Sequence, residues 1–246
     1  MILAAGLGTR LKPLTDHKPK ALVEIEGEPV LEILIKNLRK QGFDNIIINV
    51  HHFADSVIKF INSKDFGVKI VISDESDELL DTGGGLVKAL PLLFEKDDEP
   101  VLVHNVDILG NAQLKQLIDS HKKNNAFSTL LISERESGRK LIFSQDFELK
   151  GWHNLATGEY RPEKPSISNI KEYAFNGIYV MNKEAISEMN TLCGKGKFSV
   201  MEYFLHPLRK GKTIGVVQKD LELIDIGKPA TLAQAPELLN KINRTY

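Results

Sequence analysis

Short blocks of consecutive apolar residues alternate along this chain with longer segments in which apolar residues recur every three or four positions. The blocks predict buried strands, and they lie at 1–5, 46–50, 68–72, 101–103 and 128–132. The longer segments predict helices over 29–41, 54–61, 85–94 and 112–123. Apolar strands separated by helices are typical of a mostly parallel sheet with helices on both faces. We therefore expect an α/β fold.

The polar segment 139–172 interrupts this alternation. It contains short strand-like pieces separated by turn-forming residues. We interpret it as a β-rich insertion or lid within one domain that covers residues 1–246. After it, the pattern predicts a strand over 175–181, a hairpin made of 213–217 and 221–226, and a closing helix over 229–242.

Composition excludes several classes of protein. The 246 residues are 42% hydrophobic and 26% charged, which argues against disorder, and a net charge of −1 gives no sign of nucleic-acid binding. Cys193 is the one cysteine, so an intrachain disulfide is excluded and a cytoplasmic location is expected. The five-residue apolar start lacks a basic flank, and no apolar stretch reaches 18 residues. We expect neither a signal peptide nor a membrane span.

Local charge is concentrated near the start of the chain. Residues 1–20 carry four cations against one acid, Asp16, which gives about +3 on a chain that sums to −1; the cations are Arg10, Lys12, Lys18 and Lys20. They follow Gly6 and Gly8, and glycines let a backbone approach a ligand with its N–H groups free. A polyphosphate is the expected partner. The segment matches neither the Walker loop nor the dinucleotide fingerprint, because Leu11 stands where the third glycine is required.

The whole run from Leu3 to Thr15, closed by Pro19-Lys20, resembles the signature of the sugar-1-phosphate nucleotidyltransferases. This resemblance implies a Rossmann-like mixed sheet with a small β-rich lobe on the sugar side. It also implies that the loop holds the nucleotide, with Arg10 on the β- and γ-phosphates and Lys20 on the α-phosphate. The nucleotide-binding residues it implies in the loop are Ala5, Gly6, Gly8 and Thr9.

A second glycine-rich segment, Thr82-Gly83-Gly84-Gly85, stands just before a predicted helix. Three glycines there are costly unless the backbone must approach something, although a helix-capping loop with Asp81 or Thr82 as N-cap is the alternative. The segment resembles the one with which the family grips the nucleobase, and this implies roles for Glu78, Thr82 and Gly83. Its D-T-G-G-G form resembles uridylyltransferases acting on N-acetylmuramate 1-phosphate and chains similar to mannose-1-phosphate guanylyltransferase.

Two acids are candidates for holding Mg²⁺. Asp107 follows the apolar strand 101–103, and Asp225 stands between two isoleucines near the end of another strand. A parallel sheet can bring both to the same carboxyl edge, and Mg²⁺ prefers oxygen ligands. The alternatives are a helix cap for Asp107 and a turn acid for Asp225. The family resemblance, carried by Asp225-Ile226-Gly227, implies that Asp225 is the second metal ligand.

A weaker match concerns the sugar. Glu163-Lys164-Pro165 and Asn176-Gly177-Ile178-Tyr179 resemble the pair of motifs that lines the family's sugar-phosphate pocket. The resemblance implies that Lys164 neutralises the sugar phosphate, that Asn176 bonds sugar hydroxyls, and that Glu163, Gly177 and Asn105 line the same pocket. A solvated Lys164 is the alternative, since a three-residue match in a polar loop arises easily.

The reaction implied is the formation of an NDP-sugar and pyrophosphate from an NTP and a sugar 1-phosphate, which attacks the α-phosphate in line. UTP is the favoured nucleotide and GTP the second candidate. One alternative is a cytidylyltransferase for a non-sugar phosphate such as phosphocholine. Another is a nucleotide-sensing protein without turnover, against which the presence of both Asp107 and Asp225 argues. The base, the sugar and the oligomeric state stay open at this point.

Overall fold

Helices and strands alternate through the protein as the apolar pattern predicts. The computed structural model describes residues 1–95, 98–166 and 169–245. The helices within those ranges are α1 (Val30–Lys40), α2 (Ala54–Asn62), α3 (Asp81–Leu93), α4 (Leu114–Asn124), α5 (Lys183–Cys193), α6 (Val200–Phe204) and α7 (Pro229–Thr245). The strands are β1 (Ile2–Leu3), β2 (Glu24–Ile25), β3 (Glu28–Pro29), β4 (Asn45–Val50), β5 (Lys69–Asp74), β6 (Val101–Asn105), β7 (Ile108–Gly110), β8 (Ser128–Ser133), β9 (Arg139–Phe143), β10 (Leu149–Asn154), β11 (Glu159–Arg161), β12 (Lys171–Met181), β13 (Thr213–Val217) and β14 (Leu223–Asp225).

The chain divides into two compact units, each built from several separate segments. The first unit contains Met1–Asp81, His104–Ala112 and the residues from Leu221 onward, and the second contains Thr82–Val103 and Gln113–Asp220. The expectation of one domain over residues 1–246 stays a prediction. Both units depend on segments far apart in sequence, so each needs long-range pairing to form.

Parallel pairing organises the first unit. β1 pairs with β4 on one side and with β6 on the other, and β4 pairs with β5, all in parallel. In this register Leu3 stands level with both Asn49 and Asn105. Polar residues therefore arrive together at the carboxyl ends of three neighbouring strands, which is where open α/β sheets bind ligands.

Helix α1 shows why the apolar spacing is decisive in this unit. Val30, Leu31, Leu34, Ile35 and Leu38 are all buried, and they recur at helical spacing on one face. Pro29 directly precedes the helix, where a missing N–H costs nothing. The predicted bounds of 29–41 therefore agree with the observed helix within a residue at each end.

The second unit is built around β8. This strand pairs with β13 in parallel and with β12 in antiparallel fashion, and the antiparallel order continues from β12 through β9 and β10 to β11. Buried aromatic rings fill its core, with Tyr179 and Phe204 meeting edge to face at 5.6 Å between centroids. Of the described strands, three thus lie inside the segment 139–172 that the sequence predicts to be β-rich.

Two predictions about secondary structure are wrong. Strands 213–217 and 221–226 do not form a hairpin, because β13 pairs with the buried strand β8 and β14 pairs with β7. Local proximity in sequence is outweighed here by the larger apolar surface that β8 offers. Helix α3 begins at Asp81 instead of residue 85, so the three glycines lie in its first turns.

The mixed α/β class is confirmed by this arrangement of strands and helices. Among the described helices, none combines the length and the apolar character that crossing a bilayer requires.

Burial of His121 predicts a specific pH dependence of stability. Its ring nitrogen Nδ1 lies 2.9 Å from Thr129 Oγ1, and burial, followed by the charge of Lys122, lowers its pKa to about 4. The unfolded chain takes up a proton near the ordinary pKa of 6.5, so the stability contributed by neutral His121 is lost as pH falls from about 6.5 towards 4. We expect His121→Gln to reduce the loss of unfolding free energy between pH 7 and pH 5 by about 2 kcal/mol.

Urea unfolding at both pH values measures this difference. His17→Gln, at an exposed histidine, is the matched control and should keep the wild-type dependence. A His121→Gln protein whose stability follows pH as the wild type does would contradict the assignment.

Candidate active site

The loop after β1 is held in a compact shape by its own side chains. Gly8 adopts a left-handed conformation with φ +67°, and its carbonyl accepts hydrogen bonds from the Thr15 hydroxyl at 2.8 Å and the Leu11 N–H at 2.9 Å. A Cβ on Gly8 would come within 3.0 Å of Thr15 Cγ2. Leu11 is fully buried and anchors the short helical turn over Thr9–Leu11. Any residue other than glycine at position 8 would strain this loop.

Two of the four cations in this segment converge on Asp107. Lys20 Nζ lies 2.7 Å from Asp107 Oδ2, and Arg10 Nη2 lies 3.9 Å from the same oxygen. The side chains of Asp107 and Lys20 are 8% and 15% exposed, so their pair is largely shielded from water. Lys12 and Lys18 instead make exposed pairs with Asp16 and Glu24.

Asp225 joins this cluster from the other end of the sequence. Arg10 Nη1 lies 3.9 Å from Asp225 Oδ2, so one guanidinium stands between the two carboxylates. Asp225 does not reach Asp107 along the parallel sheet edge that the sequence predicts. Instead, β14 runs antiparallel to β7, and the Ile226 N–H donates to the Asp107 carbonyl at 2.9 Å. A direct backbone ladder therefore fixes the two acids relative to each other.

Gly227 shapes the same corner. Its N–H donates to Asp225 Oδ1 at 2.8 Å. A Cβ there would lie 2.6 Å from Arg10 Nη2 and 2.8 Å from Asp225 Oδ1. The absence of a side chain at this position is what lets the guanidinium approach the acid.

Further predicted nucleotide-binding residues include Gly6, which lies close to Lys20, together with Ala5 and Glu78. Ala5 is buried, and a Cβ on Gly6 would stand 3.7 Å from Lys20 Nζ. The Glu78 N–H donates to the Glu75 carbonyl at 3.1 Å, which turns that segment at the end of β5. These positions all belong to the first unit.

A buried polar pair that sequence reasoning missed braces the loop. Asn49 Oδ1 accepts from the Ala4 N–H at 2.7 Å, and Asn49 Nδ2 donates to Glu75 Oε1 at 2.7 Å. Glu75 is fully buried and also accepts from the Leu80 N–H at 3.3 Å. An asparagine inside the apolar block 46–50 was the available signal, because a buried polar group needs a partner.

The His104 side chain restrains the backbone at Asn105 in a similar way. Its Nδ1 lies 2.8 Å from the Asn105 carbonyl oxygen, and burial lowers the pKa of His104 to about 4. The ring is therefore neutral near pH 7 and donates through Nδ1–H to that carbonyl. This bond fixes the backbone two residues before Asp107.

In the second unit, Gly83 has a packing role that the sequence did not reveal. Its N–H donates to the Phe198 carbonyl at 2.9 Å, and a Cβ would lie 2.3 Å from Phe198 Cε2. The neighbouring Thr82 Oγ1 accepts from the Val200 N–H at 2.9 Å. The start of α3 is thus attached to the segment that leads into α6.

The predicted sugar-side residues differ in their surroundings. Glu163 and Lys164 are exposed, with the Lys164 ammonium 5.7 Å from the centre of the Tyr160 ring. Asn176 is buried, and Gly177 beside it has φ +69°. Asn176 is therefore held in a fixed environment, whereas Lys164 lies on an aromatic surface open to solvent.

Comparison with known proteins assigns the chain to a family. A sequence model of the family "Nucleotidyl transferase" matches residues 1–241. The chain belongs to the nucleotidyl transferase family. The Arg10, Lys20, Asp107 and Asp225 cluster described above lies within the matched region.

Relatives of this nucleotidyl transferase are similar over different lengths. The N-acetylmuramate α-1-phosphate uridylyltransferase of Caulobacter vibrioides is 44% identical over 110 residues, which is 44% of each chain. The UTP–glucose-1-phosphate uridylyltransferase of a Synechocystis species is 30% identical over 96% of this chain and 61% of its own. The chain thus spans less than two thirds of the length of both relatives.

A solved structure supports the same fold. HddC from Yersinia pseudotuberculosis, crystallised with GMP-PN, superposes with a TM-score of 0.74 at 27% identity and covers 96% of both chains. The Rossmann-like class expected from the sequence is therefore confirmed for this nucleotidyl transferase.

The packing of Gly83 predicts the effect of adding a single methyl group. Because its Cβ would collide with the buried Phe198 ring, we expect Gly83→Ala to lower the unfolding free energy by about 1–3 kcal/mol. Gly138→Ala is the matched control, since a Cβ at that position meets no atom of the described residues within 4 Å.

Urea unfolding of both variants measures the effect. Combining Gly83→Ala with Phe198→Leu should cost less than the sum of the two single changes, because the smaller side chain leaves room for the methyl group. Equal stability of the Gly83→Ala and Gly138→Ala proteins would show that packing does not explain this glycine.

Proposed function

We propose that this protein transfers a nucleotidyl group from an NTP, with UTP favoured, to a sugar 1-phosphate. The observation that carries the proposal is the convergence of Arg10 and Lys20 with Asp107 and Asp225 beside a glycine loop at the carboxyl end of β1. A triphosphate requires cations, and its counter-ion requires carboxylates. The N-terminal signature directs the choice to sugar phosphates.

Charge stabilisation is the main contribution of this chain's own residues. The Lys20 ammonium is held at 2.7 Å by Asp107 and stands beside Gly6, where backbone N–H groups meet the ligand. Arg10 is half-exposed and can turn its guanidinium towards the β- and γ-phosphates. Preorganised cations of this kind stabilise charge that develops on the transferring phosphate.

The sugar phosphate itself supplies the nucleophile. An oxygen of its phosphate attacks the α-phosphorus, a P–O bond forms, and the bond from the α-phosphorus to the bridging oxygen breaks. The electron pair of that bond leaves with pyrophosphate, so the protein needs no covalent intermediate. Positioning of the two substrates then accounts for most of the acceleration.

Asp107 and Asp225 fit the role of Mg²⁺ ligands. Mg²⁺ in nucleotide enzymes takes one or two carboxylates and completes its shell with phosphate oxygens and water. Two carboxylates near one guanidinium meet that requirement, and among the described residues no group of three or more acidic, histidine or cysteine side chains forms a cage. When bound, Mg²⁺ would neutralise charge on the phosphates.

The residues proposed for the sugar phosphate are Asn105, Glu163, Lys164, Asn176 and Gly177. Asn176 has the strongest support, because it is a buried amide whose nitrogen has no acceptor among the described residues. A substrate oxygen would satisfy it. Lys164 supplies a cation on an exposed segment, which suits the phosphate of an incoming substrate.

Choice of the base is proposed to rest on Glu78, Thr82 and Gly83. The D-T-G-G-G form of that segment favours UTP, and the names of two relatives point to uridylyl transfer. GTP is the second candidate, because a yeast mannose-1-phosphate guanyltransferase is 31% identical over 76% of this chain. We place the activity in the cytoplasm, with neither nucleic acid nor membrane as a partner.

A nucleotide panel tests the proposal directly. Pyrophosphate release is measured for UTP, GTP, CTP and dTTP, each with glucose 1-phosphate, mannose 1-phosphate, N-acetylmuramate 1-phosphate and phosphocholine. We expect the highest turnover with UTP and a sugar phosphate, and loss of turnover with EDTA that excess Mg²⁺ restores. CTP with phosphocholine as the best pair would support the alternative transferase. Tight nucleotide binding without any pyrophosphate would support a sensing role instead.

The Lys20–Asp107 pair predicts a large effect on the chemical step. Removing one preorganised cation should lower kcat about 10²-fold or more, so we expect that loss in Lys20→Ala at saturating NTP. Lys18→Ala is the matched control, because Lys18 pairs with the exposed Glu24 and should retain turnover. Near-normal kcat in Lys20→Ala, measured in the same pyrophosphate assay, would remove this lysine from the mechanism.

A further inference from the structure

Asn176 lies in an irregular part of β12 with its amide only half satisfied. Phe175 pairs with Ile132 and Tyr179 pairs with Leu130, so three residues of β12 stand opposite one of β8. Asn176 is 2% exposed, and its Nδ2 finds no acceptor among the described residues. Burying such a donor without an acceptor is unfavourable, so the fold keeps it at a disadvantage to stability.

The orientation of this amide is set by its neighbours. Arg135 Nε donates to Asn176 Oδ1 at 3.0 Å, and the Ser133 hydroxyl donates to the same oxygen at 3.1 Å. A guanidinium has donors and no acceptor, so it accepts only the oxygen of a carboxamide as a partner. The Ser133 hydroxyl could pair with either the oxygen or the nitrogen of the amide. Arg135 is therefore the group that sets the orientation of the Asn176 carboxamide.

Arg135 is itself fixed to the backbone on both sides. Its Nη2 donates to the Phe175 carbonyl at 2.9 Å and its Nη1 to the Glu136 carbonyl at 3.4 Å. The Lys140 ammonium donates to the Arg135 carbonyl at 2.7 Å. Arg135 is exposed, yet three hydrogen bonds restrain its side chain, and one of them goes to a buried amide. These restraints allow it to hold that amide in one orientation.

We propose that Arg135 is a positioning residue, which holds Asn176 with its nitrogen towards an oxygen of the sugar phosphate and so sets the affinity for that substrate. The inference rests on the proposed function, since it assumes that Asn176 meets the sugar phosphate. Arg135 acts through Asn176 and makes no contact with substrate. Without the guanidinium the carboxamide can rotate so that Oδ1 and Nδ2 exchange places. Its oxygen would then face an oxygen of the ligand.

Steady-state kinetics of Arg135→Met, Asn176→Ala and the double variant test this relay. We expect each to raise the KM of the best sugar 1-phosphate in the panel about tenfold, the effect of one lost hydrogen bond, with the KM of the NTP unchanged. The double variant should match Asn176→Ala alone, because no amide remains to be oriented. Arg139→Met, which removes a nearby exposed charge of the same sign, should leave both KM values unchanged.

Two outcomes overturn the proposal: additive effects in the double variant, which indicate direct contact of Arg135 with substrate, or a wild-type KM in Arg135→Met. Thermal unfolding checks that each variant folds. If Arg135→Met does not, Arg135→Gln replaces it, because a carboxamide can accept as well as donate and no longer imposes one orientation. Its KM must then rise for the proposal to stand.

A readout independent of turnover separates this inference from the proposed function. If no substrate pair releases pyrophosphate, the proposed function fails, and the Asn176 side-chain ¹⁵N–H₂ signals still report the orientation of the amide. Loss of the signals in Asn176→Ala identifies them. We expect them to shift or split in Arg135→Met and to stay in place in Arg139→Met, and unchanged signals in Arg135→Met would overturn the positioning role.

Discussion

Compensation of charge between Asp107 and Lys20 is the interaction on which the candidate site depends. The Asp107 side chain is 8% exposed, and a carboxylate so far from water is expensive unless a cation and hydrogen bonds accompany it. Lys20 provides that cation at 2.7 Å, and Arg10 extends the same balance to Asp225. Two positive and two negative groups sum to zero, so the cluster can exist before substrate arrives.

Backbone pairing delivers these groups to one place. The register of β1 with β4 and β6 sets Leu3 level with Asn49 and Asn105, and the β7–β14 ladder sets Ile226 against Asp107. Hydrogen bonds between strands are short and directional, so they fix the position of each loop before its side chains are considered. The buried Asn49–Glu75 pair then secures the loop itself through the Ala4 N–H.

Packing and chemistry compete for the same residues in the second unit. Gly83 lets the Phe198 ring pack closely against the backbone of α3, which any side chain at position 83 would prevent. This reason for a glycine is independent of the nucleobase role proposed for it. Asn176 shows the reverse, because its Nδ2 has no acceptor among the described residues and lowers stability, a cost that the proposed contact with the sugar phosphate would offset. The identity of a residue in a motif cannot by itself tell packing from ligand binding, whereas the contacts of that residue in the structure can.

The sequence by itself determined the α/β class, the helix over Val30–Lys40 and the residue types of the loop after β1, because apolar periodicity and local glycine and charge patterns are properties of neighbouring positions. It also singled out Asp107 and Asp225. Only the tertiary structure decided how they meet, since strand pairing across more than 100 residues follows the apolar surface available in the whole fold, and this is why β14 joins β7 and not β13. The partners of Asn49, Glu75, Arg135 and Asn176 were decided in the same way, because a buried polar group is explained by what surrounds it in space.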